Sequence, residues 1–328
     1  MPDTEMTRIA VLTSGGDAAG MNAAVRAVVR TGMARGFQIF GVRSGYTGLI
    51  AGDMAPLGVR DVGGIIGKGG TFLGTTRCAQ IKSASGQAAA VQQLRRRGIE
   101  GLIVIGGNGS QAAAHALSQL GLAVVGIGST IDNDLLGADP SLGFVTAVDV
   151  ALEAIDRLRV TAASHNRVFL VEVMGRESGH IALAASIAGG AEACVIPERR
   201  ISPETVAAEI RAAYARGKSH AIVVVAEGAD YNAERLAGYL REHAEELRFE
   251  LRVTTLGHIQ RGGTPGLFDR MLATELGSAA IEHFAAGHTG ILLGRMNSAV
   301  TATPLAQVVH ACKPPPAHLI ELASVLAQ

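Results

Sequence analysis

Two acidic residues spaced two apart, Asp132 and Asp134, stand in the string Thr130-Ile131-Asp132-Asn133-Asp134, just after the aliphatic run 123–127. Carboxylates so placed in an extended loop can divide the work of phosphoryl transfer to an alcohol. One takes the hydroxyl proton while the other helps order a cation on the phosphates. The same residues also make an ordinary capped turn, because Asp and Asn bond nearby backbone amides. Two glycine turns suggest a second chemistry. Thr13-Ser14-Gly15-Gly16-Asp17 closes one aliphatic run and opens a helical stretch, and Gly106-Gly107-Asn108-Gly109-Ser110 repeats that arrangement. Glycines there let backbone N–H groups approach a phosphate at the positive end of a helix. Neither string is a Walker loop or the dinucleotide-binding glycine pattern. Each alone also reads as a plain strand-to-helix turn.

Such loops need a scaffold that delivers them to one edge. Short β-branched and aliphatic runs at 8–13, 37–42, 101–105, 123–127, 167–173, 221–226 and 248–254 predict buried strands. Helical stretches are predicted between them, at 21–35, 86–97, 110–119, 145–162, 178–188, 203–216 and 232–245. Such alternation predicts an α/β fold with mainly parallel sheets covered by helices on both faces. Ligands of these sheets bind beyond the carboxyl ends of the strands, where the glycine and acidic loops fall. The segment 313–318, with three prolines, leads into a short C-terminal helix.

The bulk numbers bound the function. A chain of 328 residues with 48% hydrophobic residues buries a sizeable core. Lys plus Arg equals Asp plus Glu, at 29 each, so the broad basic field of a nucleic-acid protein is missing. Any anionic ligand must be held by local groups. Cys78, Cys194 and Cys312 are too scattered for a disulfide framework or a zinc site, which suits a reducing compartment. No basic start followed by an apolar run suggests a signal peptide, and no aliphatic run is long enough to span a membrane. A cytoplasmic location is expected.

Seven strings carry a resemblance. They are LTSGGDAAGMNAAVRAVVR at 12–30, GGTFLGTTR at 69–77, GGNGS at 106–110, TIDND at 130–134, EAIDRLRVTAASHNR at 153–167, EVMGRESGHIAL at 172–183 and LGHIQRGGTPGLFDR at 256–270. In that order and spacing the chain resembles the ATP-dependent 6-phosphofructokinases of bacteria, from about Arg8 to about Gly294. The resemblance implies two Rossmann-like three-layer αβα domains. The larger, ATP-binding domain would use 1–141 and 258–304. The smaller, fructose 6-phosphate-binding domain would use 142–257 and 305–328. It also implies a homotetramer whose active sites are shared between subunits.

The same resemblance implies residue roles. Asp132 would take the proton from the sugar 1-hydroxyl, with Thr130 and Asp134 beside it. Gly16, Arg77, Cys78, Gly107, Asn108, Gly109 and Ser110 would form the ATP site, Arg77 also stabilising the transferring group. Met174, Gly175 and Arg176 would meet the sugar and the reacting region. Glu227, His258 and Arg261 would bind fructose 6-phosphate, and Arg167 and Arg252 would reach its 6-phosphate from a neighbouring subunit. A doubly charged phosphate suits several guanidinium groups, which offer forked donors and permanent charge. Magnesium would be held at Asn108, Asp132 and Asp134, mostly through the ATP phosphates. An effector site for ADP or phosphoenolpyruvate would use Arg26, Arg30, Arg159, Glu192, Arg216, Lys218 and His220; those residues also read as solvated charges on helix faces.

Departures from the family pattern matter. Asn108 stands where the family has Asp, so an oxygen ligand is kept but its charge is lost. Gly109 leaves room for a nucleotide where pyrophosphate-using relatives carry Asp, which favours ATP. Ser129, Ala19 and His180 replace a common glycine, proline and acid, and MGRESGHIAL is nearer the pyrophosphate-type string. A pyrophosphate-dependent enzyme is the alternative reading. A non-catalytic sensor of sugar phosphate or nucleotide is a third, resting on Asn108 alone.

Overall fold

In the computed structural model the described residues are 7–243, 249–309 and 311–327. The expected helix end at 245 and strand start at 248 lie outside them. The chain divides into two compact units. The first runs to Ile131, resumes at Leu135–Thr146 and returns at Arg261–Cys312; the second takes Asp132–Asp134, Ala147–Gln260 and the tail from Lys313. These edges differ from the sequence-based 141, 257 and 304 for local reasons. Leu135 bridges Cys312 in the first unit, whereas the Lys313 N–H donates to the Asp134 carbonyl at 2.8 Å in the second.

The first unit is a seven-stranded sheet. Numbered along the chain, its strands are β1 (Arg8–Ser14), β2 (Gln38–Val42), β3 (Met54–Leu57), β4 (Gly101–Gly106), β5 (Ala123–Gly128), β10 (Ile291–Met296) and β11 (Ala299–Pro304), in the order β11-β10-β5-β4-β1-β2-β3. The pairs among β10, β5, β4, β1 and β2 are parallel, and β3 and β11 close the edges antiparallel. All six residues of β4 are buried, as expected for a central strand covered on both faces. Its helices include α1 (Met21–Ala34), α2 (Gly45–Ala51), α3 (Ala84–Arg96) and α4 (Asn108–Gln119). Ser83 starts α3 by accepting from the Gly86 amide at 3.2 Å.

The second unit is a four-stranded, wholly parallel sheet. β6 (Arg167–Val173), β7 (Ala193–Val195), β8 (Ala221–Ala226) and β9 (Glu250–Thr255) lie in the order β7-β8-β6-β9. Most of α5 (Phe144–His165) belongs here, with α6 (His180–Gly189), α7 (Pro203–Ala215) and α8 (Ala233–Glu242). Its core joins the inward faces of β6, β7 and β8 to α7 and α8 through Leu170, Val195, Val223, Ile210 and Leu236.

Several elements escaped the sequence reading. β3 and β7 span four and three residues. β10, β11 and the 19-residue helix α9 (Leu267–Ala285) lie after the last predicted strand. α9 packs on α1, β5 and β10 and carries no single apolar stripe to announce it. After the four-residue α10 (Leu305–Val308), the expected C-terminal helix is α11 (Ala317–Leu326). α6 begins two residues later than expected. Ser178 instead gives its hydroxyl to the Asp132 carbonyl, and the Gly179 amide donates to the Glu198 carboxylate.

Candidate functional site

In the first unit, β1 and β4 run in register to Ser14 and Gly106, so both glycine turns leave the sheet at one level. Gly107 precedes the first turn of α4, and Gly109 lies exposed within that turn. A Cβ built on Gly109 meets nothing within 4 Å. The fold therefore does not require glycine there, and the space beside the positive end of α4 is open to an anion. Ser110 is buried, and its carbonyl accepts from the Tyr46 hydroxyl at 2.7 Å. Burial, and secondarily Cys78, push the Tyr46 phenol far above its ordinary range, so it stays a neutral donor.

The loop carrying Arg77 is tied to the same edge. Thr75 donates to the Gly15 carbonyl at 2.8 Å and Thr76 to the Ser44 carbonyl at 2.9 Å. Arg77 follows them, exposed, and Cys78 packs against the core behind. Thr130 is 8% exposed and lies beside Gly107, where an added Cβ would be 3.2 Å from its own Cβ. Arg261, expected on the sugar phosphate, belongs to this unit. It is buried, and its Nη1 donates to the Asp17 carbonyl at 3.0 Å, against Gly16.

In the second unit, Asp132 is 5% exposed. Its Oδ2 lies 3.8 Å from Nε of Arg176, whose side chain is 59% exposed. Arg176 has a left-handed backbone, and Gly175 before it has φ 148°. An added Cβ at Gly175 would fall 2.3 Å from the Ser178 carbonyl oxygen, so only glycine closes this turn. Glu227 accepts from the Gly175 and Arg176 amides at 3.3 and 2.8 Å, and the Met174 amide donates to the Gln260 side chain at 2.8 Å. Met174, Gly175, Arg176, Glu227 and Asp132 thus form one connected set. His258 lies exposed in the short 3-10 helix Gly257–Gln260 that also carries Gln260.

Arg167 and Arg252 meet elsewhere in this unit, on the paired strands β6 and β9. Both bind the carboxylate of Glu250, Arg167 through Nε at 2.5 Å. The Arg167 hydrogen bond foremost, then the charges of both arginines, hold Glu250 below its ordinary range.

Of the residues expected to bind an effector, Arg26 and Arg30 are on α1 in the first unit. In the second, Glu192 is 2% exposed with both oxygens engaged, by Lys218 Nζ at 2.9 Å and the Ile222 amide at 2.6 Å. Arg159 donates to the carbonyls of Gly189 and Gly190, Arg216 to that of Ala327, and His220 neighbours Ser219.

Among the described residues, no three or more His, Cys, Asp or Glu side chains gather as metal ligands. Asn108 and Asp134 are half-buried oxygen donors. As a single oxygen donor in its own unit, each suits contact with a hard cation held chiefly by a polyphosphate rather than by a protein cage. Sequence reasoning missed Gln260, Glu198, Glu250 and Lys313, which hold expected site residues or their loops. They lie outside the loops they support, and no local pattern marks them.

Residues 8–284 match the family described as Phosphofructokinase. The chain is 51% identical over 324 residues to ATP-dependent 6-phosphofructokinase 1 of Thermus thermophilus, covering 98% of this chain and 100% of that protein. It is 46% identical over 300 residues to the ATP-dependent 6-phosphofructokinase of Streptococcus sanguinis, covering 92% and 88%. The solved phosphofructokinase of Saccharomyces cerevisiae aligns with a TM-score of 0.85 at 34% identity, over 98% of this chain and 46% of that longer chain. A pyrophosphate-dependent phosphofructokinase from Marinobacter aquaeolei shares the fold, with a TM-score of 0.85 at 23% identity over 95% and 86% of the two chains. By both the family match and half-identity along the whole of a relative, this chain belongs to the phosphofructokinase family.

Proposed function

We propose that this chain is an ATP-dependent 6-phosphofructokinase. It transfers the γ-phosphoryl group of ATP to the 1-hydroxyl of fructose 6-phosphate, releasing fructose 1,6-bisphosphate and ADP. One observation carries this: 51% identity to a Thermus thermophilus enzyme of that name, along the whole of that protein. The open turn at Gly109 supports ATP over pyrophosphate as donor, because a nucleotide needs that room.

In the proposed reaction the sugar oxygen attacks the γ-phosphorus, the bond to the β-phosphate oxygen breaks, and the hydroxyl proton passes to Asp132. General-base help of this kind is worth roughly 10²–10⁴-fold. Asp132 is nearly buried, so Arg176, its exposed neighbour, must yield for the hydroxyl to reach it and can then turn to the phosphoryl charge. Arg77 serves the same charge. Thr130 and Asp134 order the loop, and Gly16, Cys78, Gly107, Asn108 and Ser110 hold the nucleotide. Met174, Gly175, Glu227, His258 and Arg261 hold the sugar phosphate, completed by Arg167 and Arg252 of a neighbouring subunit in a homotetramer. Asn108, Asp132 and Asp134 would contact magnesium, which neutralises phosphate charge when bound.

A regulatory site for ADP or phosphoenolpyruvate at Arg26, Arg30, Arg159, Glu192, Arg216, Lys218 and His220, and a cytoplasmic location, complete the proposal. No helix among the described residues is long and apolar enough to cross a membrane. Fructose 1,6-bisphosphate formation from purified chain, with ATP and pyrophosphate offered separately, tests it. Product from ATP is expected; product from pyrophosphate alone, or from neither donor, would overturn it.

A further inference from the structure

Asn133 stands between the two acids with its backbone left-handed, φ 52°, a conformation that Asn tolerates better than most residues. Its side chain is buried and held at both ends. Lys313 Nζ donates to Oδ1 at 2.9 Å, from 180 residues along the chain. Nδ2 lies 3.4 Å from Nδ1 of His180, and Nε2 of His180 lies 3.2 Å from the Lys313 carbonyl oxygen. A carbonyl only accepts and an amide nitrogen only donates. One imidazole tautomer therefore satisfies both contacts, with its proton on Nε2. Two backbone anchors complete the ring. The Lys313 amide donates to the Asp134 carbonyl at 2.8 Å, and the Ser178 hydroxyl to the Asp132 carbonyl at 2.9 Å. The carbonyls on either side of Asn133 are thus fixed along with its side chain, all within the second unit.

We propose that Lys313 and His180 are positioning residues for the Asp132 carboxylate, acting through Asn133. The inference deepens the kinase reading and rests on it. The C-terminal tail is then part of the machinery: its first residue aims the base. The Lys313 bond is charge-assisted and so stronger than a neutral one. Losing it lets the Asn133 kink relax and the carboxylate drift, and a drift of about 1 Å can cost as much as 10²-fold in rate.

Steady-state kinetics of the full chain with ATP and fructose 6-phosphate test this. Lys313→Met is expected to lower kcat about tenfold, with KM for both substrates within about twofold of wild type. Lys313→Arg restores most of the rate by renewing the donor. Asn133→Gly keeps the backbone angle and loses the side chain, so it shows the same loss and serves as the test if Lys313→Met fails to fold. The double variant Lys313→Met/Asn133→Gly loses no more than Asn133→Gly alone, because that change already removes the acceptor of the Lys313 bond. His180→Gln, whose amide can face both partners, stays more active than His180→Leu. Wild-type kcat in Lys313→Met or Asn133→Gly, or losses that multiply in the double variant, would overturn the proposal. A raised KM with kcat intact would also overturn it, by making Lys313 a substrate contact. The kinase reading fails separately, if wild type makes no fructose 1,6-bisphosphate.

Discussion

Gly16 and Arg261 fit only as a pair: a Cβ on Gly16 would stand 2.4 Å from Nη1 of the buried Arg261 guanidinium. The obstructing atoms are the far end of a flexible side chain, so Gly16→Ala displaces the guanidinium more than it strains the backbone. Its melting temperature is expected within about 3 °C of wild type, while kcat/KM falls about tenfold or more. A thermal melt beside a kinetic assay separates the two effects.

Gly109 gives the opposite relationship, since its surroundings are empty. Gly109→Ala should keep or raise stability, by up to about 1 kcal/mol, because alanine is the better helix former. Its KM for ATP should rise, and Gly109→Asp should lose ATP use far more, a carboxylate there repelling the phosphates. Donor titrations with both variants check this.

Much of this was legible in the sequence, for physical reasons. β1, β4, β5, β6 and β8 centre on aliphatic runs because sheets covered on both faces bury most of their side chains. β7 is too short to show a pattern, and α9 buries residues against several neighbours and so loses its stripe. The glycine turns and the TIDND loop are contiguous strings and could be read directly. Lys313, Gln260 and Glu250 act across long stretches of chain, and only folding brings them to Asn133, Met174 and Arg167.

Glu250 engages Arg167 and Arg252, the two arginines assigned to the sugar 6-phosphate. Glu250→Gln should release both and lower the KM for fructose 6-phosphate about threefold, leaving that for ATP unchanged. The sign with pH follows from the depressed carboxyl. Its contribution is complete above the ordinary value of 4.5 and is lost only as pH falls below it, through the folded-state value. An acid titration of wild type against Glu250→Gln should therefore diverge above that range and converge below it.

In the proposed site Asn108 would supply an oxygen without charge to a cation held by phosphates. Asn108→Asp is expected to lower the magnesium concentration needed for half-maximal rate, by about tenfold. Magnesium titrations at fixed ATP measure it, and equal requirements in both proteins would count against a metal contact at this position.

The most direct test is the rate of fructose 1,6-bisphosphate formation from ATP and fructose 6-phosphate by wild type and Asp132→Asn, with sugar-phosphate binding measured alongside. Wild type should turn over, and Asp132→Asn should fall roughly 10²–10⁴-fold while still binding the sugar phosphate. Undiminished turnover by Asp132→Asn, or a wild type that uses pyrophosphate and not ATP, would contradict the account.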